Sequence, residues 1–290
     1  MLLTAQRLVA ISKWNGSFSL TNYLIAATAL SVSNEYKEIP KVYHLAMMMS
    51  EEPNNDDESL NRTVNTVLSM YEKELQDTNS LIFERKHHMP TGERSNIFES
   101  MYEVPSERQR KLTKQFREAL LKTIPLAGIP KAINSLLLLS SVTPASLTPS
   151  YQSVPRSGTT PQELFPDIVR TINSENHVDR GMAHWNHLYG KVSGRVINKL
   201  NRAYPDLWYS VMAHGYGPVL SFSDILDARE TSLIIIASLV PQDVNIQLWG
   251  HLKGALNLGC TEEDIENARS LSIEVARWCG VKWKGDVVKL

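Results

Sequence analysis

Cysteine is nearly absent: the 290 residues hold two, Cys260 and Cys279. Two thiols cannot build the framework of a secreted disulfide scaffold, and they point to a reducing compartment. Long apolar runs are missing as well. A stretch such as Leu233 to Ala237 falls far short of the roughly 20 residues that span a bilayer as a helix, so no membrane insertion is expected. Near the start, Arg7, Lys13 and Asn15 interrupt any hydrophobic core that a secretory signal needs. Charge of one sign is not in excess. Thirty Lys and Arg face 31 Asp and Glu, which argues against a nucleic-acid partner or an anionic membrane surface. Apolar alternation of period two, the mark of a half-buried strand, is not found either. What is present, 42% hydrophobic and 21% charged residues, is ordinary globular usage. The chain is long enough to bury a core without disulfides or metal. A soluble, intracellular, all-α protein is expected.

Proline marks the main break. Pro144, Pro149, Pro155, Pro161 and Pro166 fall in one stretch rich in Ser and Thr. Proline removes a backbone donor and fixes φ, so neither a helix nor a central strand runs through it. The chain is read as a helical half at 1–140, a linker at 141–166 and a second helical half at 167–290. A smaller break is EEPNNDDES at 51–59, five acids with no base and no large apolar residue. It reads as a solvated acidic loop and not as a metal site.

Elsewhere the period is helical. Leu112, Phe116, Ala119, Leu120 and Ile124 form one apolar stripe, and Val64, Val67, Leu68, Tyr71 and Leu75 form another. Ile265, Ala268, Leu271, Val275 and Trp278 mark a helix opened by Thr261 and the acids behind it, with Gly259 stopping the helix before. Asp227-Ala-Arg-Glu230 opens a further helix that runs to Pro241. IPKVYHLA, from Ile39, and IQLWGHLK, from Ile246, both place a histidine five residues after an isoleucine. Two degenerate copies in one chain are therefore a working expectation.

From Asn186 to Trp283 the chain resembles the carboxymuconolactone decarboxylase family, which includes alkylhydroperoxidase D-like proteins. The resemblance is carried by His251 followed by Gly254-Ala-Leu-Asn-Leu-Gly259 and an acidic helix start, by the Tyr216-Gly217 turn, and by Arg229-Glu230 opening an apolar helix. It implies an all-α fold and a homo-oligomer. The family's peroxidase branch uses Cys-x-x-Cys-x-x-x-His. Here those cysteine positions hold Val244 and Gln247 before His251, and Lys37 and Pro40 before His44, so the thiol pair is missing. The decarboxylase branch needs neither thiol nor metal, and no cofactor is expected.

Decarboxylation calls for a general acid and a hydrogen-bonding or cationic grip on the substrate. His251, one turn from Ala255 and three residues after Leu248, borders an apolar stripe and is the first candidate catalytic residue. Glu230 is the second, although the fourth position of Asp-Ala-Arg-Glu also completes a capping box. His214 and Tyr216, in AHGYGP, sit in a glycine-bracketed turn and are candidate substrate-binding residues, with Arg229 as a carboxylate grip. His184 and His187 have the i, i+3 spacing of a metal pair but no thiol or carboxylate beside them, so no metal is assigned. Cys260, near a helix start, is a candidate reactive thiol or a small buried filler. The chain closes Val288-Lys289-Leu290, and two of its three positions match the Ser-Lys-Leu peroxisomal address. Peroxisomal import, through a receptor that reads this tripeptide, is expected ahead of cytoplasmic residence.

Two function classes stand. One is a cofactor-free acid/base enzyme acting on a small carboxylated lactone or keto acid. The other is a non-catalytic oligomeric or binding protein on the same fold. Thiol peroxidase action through Cys260 is a third.

Overall fold

A computed structural model describes residues 2–16, 18–52, 56–76, 102, 104–148 and 176–290 of the chain. Among these residues there are helices and no strand, as the sequence leads one to expect. The first half contains α1 (Ala5–Ser12), α2 (Leu20–Val32), α3 (Ile39–Met49), α4 (Asp57–Gln76), α5 (Glu107–Lys122) and α6 (Ile129–Val142). The second contains α7 (Asn176–Tyr189), α8 (Ser193–Ala203), α9 (Pro205–Ser210), a π-helix (Val211–Leu220), α10 (Ala228–Leu239), α11 (Asn245–Asn257) and α12 (Glu262–Trp278).

Two helices are buried on nearly every side. In α2 every residue from Asn22 to Val32 is buried, and in α10 every residue from Thr231 to Leu239. A helix apolar all round belongs inside a bundle, and these two lie against each other. The amphipathic helices cover them crosswise: α12 of the second half packs on α2, and α5 of the first half packs on α10. The buried apolar side chains of both halves form one continuous core. Polar contacts also cross between the halves, from Trp14 Nε1 to Ser270 Oγ at 2.9 Å, Asn267 Nδ2 to Asn22 Oδ1 at 3.1 Å and Gln115 Nε2 to Glu230 Oε1 at 3.0 Å.

The helix starts follow their sequence signals. Thr261 caps α12 and forms a reciprocal box with Asp264, and Asp227 does the same with Glu230 for α10. Each such cap stabilises its helix by on the order of 1 kcal/mol.

Three expectations need correction or restriction. The acidic stretch at 51–59 is not all loop, because Asp57 and Glu58 form the first turn of α4, where their charge complements the helix dipole. AHGYGP is not a turn but part of the continuous π-helix, whose wider i→i+5 register accommodates both glycines and Pro218. Of the linker at 141–166, α6 claims residues through Val142, and Ala145–Leu147 form a 3-10 turn. From residue 149 on it lies outside the described residues.

Candidate active site

Three elements meet where side chains have been removed to let them. A Cβ built on Gly181 of α7 would sit 2.8 Å from Gly217 Cα in the π-helix, closer than packed atoms come. A Cβ on Gly254 of α11 would sit 2.4 Å from Leu188 Cδ1 of α7. These glycines draw α7, the π-helix and α11 together. His184 and Trp185 stand one turn from Gly181 on α7, Tyr216 is next to Gly217 on the π-helix, and His251 stands one turn from Gly254 on α11. In the π-helix Met212, Tyr216 and Leu220 are all buried, a spacing of four that suits its wide turn and turns Tyr216 inward.

The side chains form a compact polar cluster in an aromatic wall. Tyr216 Oη lies 3.5 Å from His251 Nε2, the long limit of a hydrogen bond. The Tyr189 ring stands edge-on to His251 with centroids 6.3 Å apart. The Trp185 ring packs against Tyr189, Trp208 and Tyr216 at 4.3, 4.9 and 4.8 Å. His184 approaches Tyr216 to 6.1 Å. Two polar atoms here, His184 Nε2 and Trp185 Nε1, are buried without a hydrogen-bond partner. Buried polar groups in folded proteins are almost always paired, so this cluster has unused capacity to bind oxygen.

Burial also sets the charge state. Desolvation, reinforced by neighbouring His184, lowers the His251 imidazole to about 4. Burial, with Lys122 and His187 adding positive charge nearby, lowers His184 to about 4 as well. Both rings are neutral at pH 7. Lys122 is wholly buried, 3.4 Å from Glu118, and its ammonium donates to the carbonyls of Val219, Leu220 and Phe222 at 3.0, 3.2 and 2.7 Å. A cation from α5 thus fastens the C-terminal end of the π-helix, where the helix dipole favours positive charge.

The other residues named from sequence lie elsewhere. Glu230 has both oxygens engaged, one by the Asp227 backbone N–H and one by Gln115, and no contact joins it to His251. It is a cap. Arg229 is exposed and ion-paired to Asp264 at 2.9 Å, so its guanidinium grips this chain's own carboxylate. His214 is exposed against Tyr209, on the side of the π-helix away from Tyr216. The Cys260 thiol is buried and pushed up to about 11 by that burial. Its sulfur donates to Arg229 O at 3.6 Å. Of the two readings of Cys260, burial and the raised thiol favour the small buried filler, since desolvation outweighs the pull of the helix start. His187 is exposed while His184 turns inward, and among the described residues no group of three or more His, Cys, Asp or Glu could hold a metal.

Comparison with known proteins agrees with the helical architecture. The model of the carboxymuconolactone decarboxylase family matches residues 206–284. Peroxisomal protein 2 of Saccharomyces cerevisiae is 43% identical over 303 residues, covering 100% of this chain and 99% of that protein. The chain belongs to this fungal family of peroxisomal, carboxymuconolactone decarboxylase-like proteins. Peroxisomal protein 2 of Schizosaccharomyces pombe is 39% identical over 178 residues, or 61% of this chain and 75% of that protein. No solved structure matches. As a member of this peroxisomal family the protein resides in the peroxisome. No helix among the described residues is long and apolar enough to cross a membrane.

Within this carboxymuconolactone decarboxylase-like protein, the family match carries Tyr216 and His251 but not α7, which lies upstream of residue 206. The sequence reading weighs His184 only as half of a metal pair and does not assign Tyr189 to the candidate site, whereas the fold places both beside Tyr216 and His251. The signal that could have found them is the pair of small residues, Gly181 and Gly217, flanking aromatic and histidine side chains on two neighbouring segments. In the tail, Val288 is held by its backbone, its N–H donating to Asn245 Oδ1 at 3.0 Å and its carbonyl accepting from Arg269 Nε at 2.7 Å, while Lys289 and Leu290 are exposed.

Proposed function

We propose that the protein is a cofactor-free acid/base enzyme acting on a small carboxylated lactone or keto acid, with His251, Tyr216 and His184 as its working groups. The observation that carries this reading is the buried, unpartnered Nε2 of His184 beside the long His251–Tyr216 contact. Such contacts are commonly loose in an empty site and tighten around substrate.

The chemistry follows from neutral imidazoles. A carboxylate entering the cluster supplies the negative charge that burial withholds, and an imidazole beside it takes up a proton from solvent. When the carbon–carboxylate bond breaks, carbon dioxide leaves and the electron pair passes into the adjacent carbonyl oxygen. The hydroxyl of Tyr216 and the N–H of His184 are placed to hydrogen-bond that oxygen. His251 then returns the proton to carbon, and the ring is neutral again. The balance is one substrate anion and one proton to one product and carbon dioxide.

The test is carbon dioxide release by the purified protein from carboxymuconolactone and a set of small lactone and β-keto acids. Release from any of them supports the reading. Silence across the set, with no ligand raising the melting temperature, refutes it and leaves the non-catalytic binding protein. One observation favours that second reading: the large cleft beside the cluster is lined by Tyr189 and Gly250 but not by His251. Homo-oligomer formation is proposed on the family resemblance alone. Val288, Lys289 and Leu290 are proposed as the residues that the import receptor reads, and replacing Lys289 and Leu290, both exposed, is expected to leave the protein in the cytosol.

A further inference from the structure

A cleft of about 810 Å³ opens between α7, α8 and α11. Its walls are apolar: Val192, Val196, Ile246, Trp249, Leu256 and Val288. Ile246 is 82% exposed and Trp249 and Val192 are 40% exposed, an unusual outlay of large apolar surface at one place. Gly250 contributes floor without a side chain, so a ligand can lie close to the helix backbone. The volume falls within the range of small-molecule sites, which combine apolar walls with a few polar groups.

The one charged side chain in its lining is a cation. Lys253 lines the cleft with its ammonium over the Trp249 ring, 4.8 Å from the centroid. On α8, which supplies Val196, the exposed residues Arg195, Lys199 and Arg202 recur at i, i+4 and i+7, and the helix has no acid. At the standard 3.6 residues per turn, Lys199 lies about 60° around the helix from Val196, so this stripe flanks the cleft. None of the four cations has an ion-pair partner among the described residues, whereas Arg229, Arg269 and Arg277 each have one. The polar side chains Asn245 and Asn257 are already committed, to Asp286 O and Val288 N and to Leu188 O. Lys253 is the cation in the cleft wall left to meet a ligand.

We propose that this cleft binds an aliphatic carboxylate, its chain on the apolar walls and its head group at Lys253 and the basic edge of α8. The cleft adjoins the His251 cluster at Tyr189, which lines it, but the binding proposed does not depend on turnover there. An apolar wall alone would accept any greasy partner; the unpaired cations on the rim select an anion at the end of the chain.

Titration calorimetry of the full chain with octanoate, decanoate and dodecanoate, each below its micelle concentration, tests the proposal. Binding at one site per chain is expected, tightening roughly twofold to fourfold for each added methylene. Dodecyltrimethylammonium, with the same chain and opposite charge, is expected to bind at least tenfold more weakly. Lys253→Glu and Ile246→Asp, both at exposed positions, should each weaken dodecanoate tenfold or more with unchanged circular dichroism. Absence of binding, equal binding of the cationic detergent, or indifference to both substitutions overturns the proposal. So does sedimentation showing that Ile246→Asp dissociates an oligomer while dodecanoate does not bind, which would make the cleft a contact between copies of the chain.

Discussion

Gly181 and Gly217 meet backbone to backbone: a Cβ on the first would lie 2.8 Å from the Cα of the second. The contact holds α7 against the π-helix, and the residues within one turn of it, His184, Trp185 and Tyr216, form most of the candidate site. Gly181→Ala should therefore act on stability and on the site together. We expect a loss of about 1–3 kcal/mol, the ordinary cost of overpacking, read as a lower urea midpoint. Near-ultraviolet circular dichroism should change as Trp185 and Tyr216 shift. A variant of unchanged stability and spectrum would mean that α7 is not pinned there.

Lys122 gives a second prediction. Replacing it with Met removes the donor to three carbonyls at the end of the π-helix and the ion pair to buried Glu118. Breaking a buried pair in this way costs about 3–5 kcal/mol. The loss of a cation near His184 should also raise that imidazole's pKa and leave distant His44 alone. Histidine NMR titration separates the two effects, and equal shifts at both rings would contradict the electrostatic account.

Acid should weaken the fold in a defined window. Burial lowers His184 and His251 to about 4 and His44 to about 3. In the unfolded chain each titrates near 6.5. Between those values the unfolded chain binds protons that the folded chain refuses. Their contribution to stability is complete above pH 6.5 and is lost as pH falls towards 4, and further towards 3 for His44. The slope is up to roughly 1.4 kcal/mol per pH unit for each ring. Urea midpoints between pH 7.5 and 4.5 should fall, and fall less steeply in His184→Gln. Parallel slopes in wild type and variant would show that His184 is not held neutral.

Much of the frame is legible from local chemistry. Thr261 and the acids after it announce α12, Asp227 and Glu230 announce α10, and Leu248 and Ala255 on either side of His251 turn that histidine inward. The departures have different physical causes. Glycine and proline around Tyr216 are local turn formers, but the segment is a π-helix because α7 packs against it at Gly217, a tertiary fact. Glu230 has the spacing of an inward residue on α10, yet its carboxylate bends back to the Asp227 N–H, since satisfying a helix terminus is worth more than reaching a pocket. His184 and His187 share the i, i+3 spacing of a metal pair that the sequence does not assign, and the fold puts one ring inside and the other in solvent. Cys260 at a helix start suggested an activated thiol, and burial pushes it the other way.

The central claim is that His251 transfers the proton in a decarboxylation carried out by this chain. It is tested most directly by carbon dioxide release from carboxymuconolactone by wild type, His251→Ala and His214→Ala, side by side. The account expects release by wild type and by His214→Ala, whose ring is exposed on the far side of the π-helix. It expects a loss of at least 10²-fold in His251→Ala, with the fold intact by circular dichroism. Turnover by folded His251→Ala at the wild-type rate would contradict it.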